Sequence, residues 1–249
     1  MHEDTDMSIR DRLLAITDPM ELLRIDSLVP NEYECSVAEI THLFKIARCL
    51  WQYEEGSGGP HAVLTSGKHS TGFIDTLELL TYTPLCDRLA TQLAVKIRNA
   101  YAGRVDWVVG SDHAGADFSQ SVARALKCRH AFTEKEKGPE GEIQTWKRHT
   151  IEEGAVVLQA EELITTMPTL SRVRTGMTAG NRYPVVFAPV VGTLVNRSPH
   201  AEYDGSPLVD IVRYSFDVYE PANCPLCSIG SQAIDKPKRN WKLLTGSTR

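Results

Sequence analysis

The sequence predicts an α/β protein: a central, mostly parallel sheet flanked by helices, with an N-terminal helical region and a small C-terminal extension. Three observations predict it. Short apolar runs at 105–109, 130–132, 155–160 and 184–191 alternate with helical patterns, the signature of strand–helix–strand units. Those runs are mostly apolar, as suits strands covered on both faces. The 249 residues, without internal repeat or low-complexity tract, fit one large α/β body with an appendage.

Taken in order, the first sixty residues read as helical. Over 38–53, Ala38, Ile40, Leu43, Phe44, Ala47, Leu50 and Trp51 recur at three-to-four spacing. Glu55 to Pro60 is a Gly-rich hinge. A strand-like piece at 62–64, a polar turn and Phe73-Ile74-Asp75 follow, then an amphipathic helix over 84–101 with Pro84 in its first turn. Beyond the strand at 105–109 come a Gly-rich turn, a helix at 117–127 and a strand at 130–132. The stretch 134–153 is polar, without apolar periodicity, and reads as a loop. The strand at 155–160, a helix at 168–179 and strand candidates at 184–191 and 208–219 complete the body. The expected division is 1–60 helical region, 61–220 core and 221–249 extension.

With 27 Lys+Arg against 32 Asp+Glu, the net charge of −5 argues against a general nucleic-acid partner. No stretch approaches the ~20 apolar residues of a membrane span. Met1 to Met7 is acidic with no apolar segment behind it, so no signal peptide is expected. Four of the six cysteines sit alone in apolar or helical-looking stretches, the usual place for reduced thiols, and the expected compartment is the cytoplasm.

Open parallel sheets carry their chemistry at the carboxyl ends of the strands. The strongest signal there is Val156 to Thr169, in which a buried strand delivers Glu161 and Glu162, then Thr165 and Thr166, then a helix start at Pro168. Hydroxyls and unpaired N–H groups at a helix N-terminus suit a phosphate. The adjacent acids suit the vicinal hydroxyls of a sugar. The plainer alternative is a solvated acidic turn with Thr166 as an ordinary N-cap.

This segment resembles the signature of the type I phosphoribosyltransferases, and four further segments match in the family's order. The resemblance implies that Glu161 and Glu162 hold the ribose hydroxyls of phosphoribosyl pyrophosphate (PRPP), with Thr165, Thr166 and Thr169 at its 5-phosphate. Leu64 to Asp75 is similar to the N-terminal segment of orotate phosphoribosyltransferases, which implies PRPP contact by Lys68 and base stacking on Phe73. Val108 to Ala116 falls where the pyrophosphate loop lies, with Ser111 and Asp112 as PRPP contacts. Glu134 to Gly138 and Trp146 to His149 match the basic motif and mobile loop, so that Lys135 and Lys137 bind PRPP while Lys147, Arg148 and His149 neutralise the leaving pyrophosphate. Arg197 falls where an arginine grips the orotate carboxylate. Five positions depart from the family pattern: Thr65, Glu162, Met167, Pro168 and Asn196.

The implied reaction is phosphoribosyl transfer from PRPP to a pyrimidine, with orotate as the expected acceptor. Mg²⁺ would be carried mainly by pyrophosphate, and the protein would be a homodimer. The alternatives are a transferase for another base, a weakly catalytic PRPP- or nucleotide-binding regulator, and a zinc-stabilised interaction module. The last rests on Cys224 and Cys227, whose CxxC spacing suits zinc but lacks a second ligand pair. Only His200 or Cys86 could be suggested as companions.

Overall fold

The strand Val156–Ile164 is the element around which the larger part of the chain is organised. In this computed structural model, residues 7–30, 32–139 and 141–246 are described; the acidic Met1–Asp6 end, read above as lacking a signal peptide, lies outside them. The chain forms two compact units interleaved along the sequence, one from 1–24, 38–82 and 215–249, the other from 25–37 and 83–214.

In the 25–37 and 83–214 unit, a six-stranded sheet runs in the order Glu202–Tyr203, Ser206–Arg213, Val186–Asn196, Val156–Ile164, Trp107–Gly110, Arg129–Phe132. All neighbours are parallel except the short Glu202–Tyr203 edge, which pairs antiparallel. Trp107–Gly110 is buried at every position, which only a strand covered on both faces requires. The helix Thr83–Ala100 packs on Val186–Asn196, where Gly192 admits Leu93 and Ile97. Ala114–Leu126 packs on Trp107–Gly110 and Val156–Ile164. Val173 and Met177 of the helix Pro168–Gly180 join Trp107, Val109, Val157 and Trp146 in one apolar cluster.

The polar stretch 134–153 is not all loop. Glu134–Gly138 and Gly141–Thr145 pair as an antiparallel hairpin, with Gly138 opposite Gly141 at the turn. Its alternation is one of charge sign, Glu-Lys-Glu-Lys, and so escapes a search for apolar period. The hairpin is held against Pro168–Gly180 by two glycines one helical turn apart: a Cβ at Gly176 would lie 2.0 Å from the Gln144 carbonyl oxygen, and one at Gly180 2.5 Å from that of Trp146.

In the other unit the predicted 38–53 helix stops early, at Val37–Ile46. Arg48 takes a left-handed φ of 53°, and the Cys49 N–H returns to the Phe44 carbonyl, a Schellman-type end. Leu50–Gln52 is then released to pair antiparallel with Gly72–Ile74. Apolar residues at helical spacing thus served two elements. A four-stranded sheet follows the order Val218–Tyr219, His69–Ser70, His61–Val63, Ala233–Ile234. The strand candidate 208–219 is accordingly two strands, Ser206–Arg213 and Val218–Tyr219.

Candidate active site

At the carboxyl end of Val156–Ile164, Glu161 and Glu162 face a cavity of about 190 Å³. Its walls include Ser111 and Asp112 from the turn after Trp107–Gly110, Lys135 and Gln144 from the hairpin, and Thr169 and Arg172 from the helix Pro168–Gly180. Two strand ends, a hairpin and one helix start therefore converge on one space.

Glu161 is 2% exposed. Its Oε2 accepts from the Ser111 hydroxyl at 2.7 Å and the Ser111 N–H at 3.3 Å, and its Oε1 accepts from the Gln159 amide at 3.3 Å. Burial pushes its pKa up against these hydrogen bonds. Glu162 is raised as well, by burial first and by the neighbouring Glu161 charge second. Two carboxylates this close leave the cavity prepared for donors: sugar hydroxyls, or a cation with its water.

The turn that meets them depends on Gly115. A Cβ there would come within 2.4 Å of Ser111 Oγ and 2.6 Å of Glu161 Oε2. Gly110 is equally constrained, since its Cβ would lie 2.4 Å from the Gly115 carbonyl oxygen. Between them His113 adopts φ 56° and ψ −117°, a conformation costing a non-glycine residue roughly 1–3 kcal/mol. Asp112 is fixed from two sides, through His113 Nδ1 at 2.9 Å and the Gln144 amide at 2.8 Å.

Of the residues singled out from sequence, Ser111, Asp112, Lys135, Glu161, Glu162 and Thr169 line this cavity. Thr165 and Thr166 are exposed in the connection before the helix. Met167 packs against the cluster of Ile164, Leu170, Val191 and Leu208, so its side chain serves the core. Lys137 shares the strand face of Lys135, two residues on. Lys147 and Arg148 are ion-paired with Glu136 and Glu134, which project from the opposite face of that strand. The His149 ring lies 6.0 Å from Trp107 and 6.4 Å from Trp146. These three are not among the residues lining the cavity. Arg197 follows Val186–Asn196, its N–H bonded to the Ile164 carbonyl at 2.7 Å, and burial lowers its pKa. Asn196 is buried and donates to Asp210 at 3.2 Å.

Lys68 and Phe73 belong to the other unit. Lys68 pairs with Glu220 at 2.7 Å, and the half-buried Phe73 ring lies 6.5 Å from Trp241. Sequence reasoning missed Arg172 and Gln144 at the cavity. Arg172 could have been found from its place one turn into the helix that the threonines precede.

A parallel sheet with an acidic pair at the end of a central strand, facing a strand-to-helix turn and a helix N-terminus, is the type I phosphoribosyltransferase arrangement. The orotate phosphoribosyltransferase crystal structure from Aeropyrum pernix shares the fold, with a TM-score of 0.52 at 18% identity over 70% of this chain and 93% of that one. The chain is 30% identical over 182 residues to the orotate phosphoribosyltransferase of Caldicellulosiruptor saccharolyticus, covering 73% of this chain and 90% of that one. It is 33% identical over 181 residues to that of Heliobacterium modesticaldum, covering 72% and 90%. No family model matches the chain. On these similarities the chain belongs to the orotate phosphoribosyltransferase family, and so to the pentosyl-transferring glycosyltransferases. Among the described residues, no helix is long and apolar enough to cross a membrane.

Proposed function

We propose that the protein transfers ribose 5-phosphate from PRPP to orotate in cytoplasmic pyrimidine nucleotide synthesis, releasing pyrophosphate. The observation that carries this reading is the convergence of Glu161, Glu162, the Ser111–Asp112 turn, Lys135 and Thr169 on one cavity. The bond from the sugar C1 to the pyrophosphate oxygen breaks, its electron pair leaving with pyrophosphate. A base nitrogen forms the new bond to C1 and loses its proton.

Glu162 accepts the ribose hydroxyls and favours the positive charge that develops on the sugar. Glu161 holds the Ser111 turn in place through the two hydrogen bonds it accepts from Ser111, with a third, from Gln159, steadying its other oxygen. Lys135 and Arg172 face the departing pyrophosphate, and Lys137 extends the same charged strand face. Thr169, with Thr165 and Thr166 before it, offers hydroxyls to the 5-phosphate at the helix N-terminus. Arg197 is the candidate to take the orotate carboxylate in a two-pronged pair.

The donor set suits Mg²⁺: Asp112, Glu161 and Glu162 present hard carboxylate oxygens. Bound mainly through pyrophosphate and ribose oxygens, the ion would neutralise phosphate charge, and Asp112 would tolerate the phosphates because of it. The reading includes a homodimer, so sedimentation should give twice the 27.7 kDa chain mass, and a monomer at assay concentration would overturn that part.

The deciding experiment is PRPP-dependent pyrophosphate release with orotate, uracil and purine bases in parallel. Release with orotate alone supports the reading; release only with another base replaces the acceptor. Pro168, which removes one N–H donor from the phosphate turn, favours a second reading as a PRPP-binding regulator. Calorimetric PRPP binding without turnover on any base would select it.

A further inference from the structure

A second group of chemistry-bearing side chains lies in the 1–24, 38–82 and 215–249 unit. His61 and His69 stand on the two antiparallel strands of a hairpin, where Ala62 pairs with Ser70 and Val63 with His69. Side chains alternate along a strand, so His61 shares the face of Val63 and therefore of His69, one diagonal step away. Cys224 and Cys227 reach the same point from the short helical turn after Glu220.

The four ligand atoms all lie within 4.8 Å of one another. Cys224 Sγ is 3.7 Å and Cys227 Sγ 3.6 Å from His61 Nε2, and Cys227 Sγ is 3.3 Å from His69 Nδ1. A tetrahedral ion with metal–sulfur bonds of about 2.3 Å and metal–nitrogen bonds of about 2.0 Å has ligand-to-ligand edges of roughly 3.3–3.8 Å. The sulfur–nitrogen separations match. The 2.9 Å from His61 Nε2 to His69 Nδ1 is shorter by a few tenths of an ångström.

The surroundings fix the proton on His61. Ser231 Oγ donates its only hydrogen to the Gly59 carbonyl at 2.6 Å, so at 2.8 Å it can only accept from His61 Nδ1. Nδ1 therefore carries the proton, and Nε2 presents a lone pair to the two sulfurs and the second imidazole. An imidazole with one nitrogen aimed at a ligand cluster and the other anchored through a hydrogen bond is the usual arrangement of a metal-ligating histidine. His61, His69 and Cys224 are buried, and all six cysteines are free thiols.

We propose that His61, His69, Cys224 and Cys227 bind one zinc ion in a closed, structural site. Two sulfur and two imidazole ligands select zinc over the hard ions magnesium and calcium. Four protein ligands leave no position for a substrate. On binding, both thiols release their protons and ligate as thiolates. The sheet here needs such a clasp: its strands are two or three residues long, too short to be stable by pairing alone. The ion ties the hairpin to a segment 163 residues further along the chain. Of the companions suggested from sequence, Cys86 is a core thiol pushed up to about 12 by burial. It and His200 both belong to the other unit. The inference is independent of the transferase reading.

The test uses the full chain expressed with zinc and dialysed. Elemental analysis should find one zinc per chain, and cobalt(II) exchanged into the site should show the visible spectrum of a tetrahedral thiolate complex. A strong chelator should lower the melting temperature by roughly 5 °C or more, and zinc but not magnesium should restore it. Cys227→Ser, at an exposed position, should lose at least nine-tenths of the zinc, and His200→Ala none. Less than a tenth of a zinc per chain, a melting temperature indifferent to zinc and chelator, or a Cys224–Cys227 disulfide in the freshly isolated protein would overturn the proposal. If Cys227→Ser does not fold, the cobalt spectrum and chelation of the unmodified chain still decide.

Discussion

The Glu161–Glu162 cavity and the His61–His69–Cys224–Cys227 cluster each gather ionisable groups, and they do so to opposite ends. The first is a set of hard oxygens around an open space, with Lys135 and Arg172 also lining it. Its two carboxyls are held above their ordinary pKa, so ionising them there carries a cost that protonation or a ligand relieves. The second is soft and closed: three of its four members are buried, and the ligand atoms already contact one another. An open set of acceptors with lone pairs to spare suits a substrate that comes and goes; a closed S₂N₂ set suits an ion that stays.

The largest expected effect that would break this contrast is on Glu162. Glu162→Gln removes the acceptor that faces the sugar, and kcat/KM should fall by at least about a hundredfold. The melting temperature should hold or rise, since a neutral amide replaces an acid whose ionised form is disfavoured by burial and by Glu161. Unchanged turnover would remove Glu162 from the chemistry; collapse of the fold would make it structural. The zinc content should not change.

Next comes Gly115→Ala. The added methyl meets two buried groups, Ser111 Oγ on a short stem and Glu161 Oε2, whose carboxylate is pinned by three hydrogen bonds. Destabilisation by about 1–3 kcal/mol is expected from the overpacking, with a loss of PRPP affinity because the turn must shift. A variant with normal melting and normal binding would show that the turn has slack, and that the acid–turn contact is not what shapes the cavity.

These two positions also show what could be read from sequence. Glu161-Glu162 was legible because an apolar strand, an acidic pair and a helix start are contiguous, and geometry follows from order. The Gly110 to Gly115 turn was legible for the same reason. The hairpin was not, because Glu134 to Gly138 alternates in charge and not in hydropathy. The 38–53 helix was overextended because Leu50 and Trp51 sit at helical spacing yet belong to a strand, a choice made by Arg48 and by the partner Gly72–Ile74. His61 and His69 were invisible as a pair, although they flank one tight turn, because their closeness depends on strand register and their meaning on a CxxC far along the chain. Local chemistry reads from order; convergent chemistry needs the fold.

A smaller effect sharpens the electrostatic half of the contrast. Because both carboxyl pKa values are raised, the folded state keeps protons that the unfolded chain has released. Stability therefore falls as pH rises from the ordinary carboxylate range through the raised values. Glu161→Gln removes part of that loss, so its melting temperature relative to the unmodified protein should increase with pH across this window. The acid limb of kcat/KM should move to lower pH in the same variant, because Glu161 is one of the charges that raises Glu162. A limb that stays in place would mean the two acids do not communicate.

The smallest effect separates the two faces of the hairpin. Lys135 lines the cavity, where it pairs with Glu142 at 2.7 Å, whereas Lys147 is paired with Glu136 on the opposite strand face, both lysines half-exposed. Exposed pairs of this kind contribute little to stability, so Lys147→Ala should leave melting nearly unchanged. If the cavity alone handles the pyrophosphate, Lys147→Ala should slow transfer by less than about threefold while Lys135→Ala slows it by about tenfold or more. Should Lys147→Ala instead match Lys135→Ala, the hairpin must turn its other face to the substrate during turnover. The 146–149 cluster would then act as the closing loop that its sequence implied. Measuring both variants at two ionic strengths adds a control: a lysine that meets polyphosphate in the closed cavity should be less sensitive to salt than one that only attracts it from the surface.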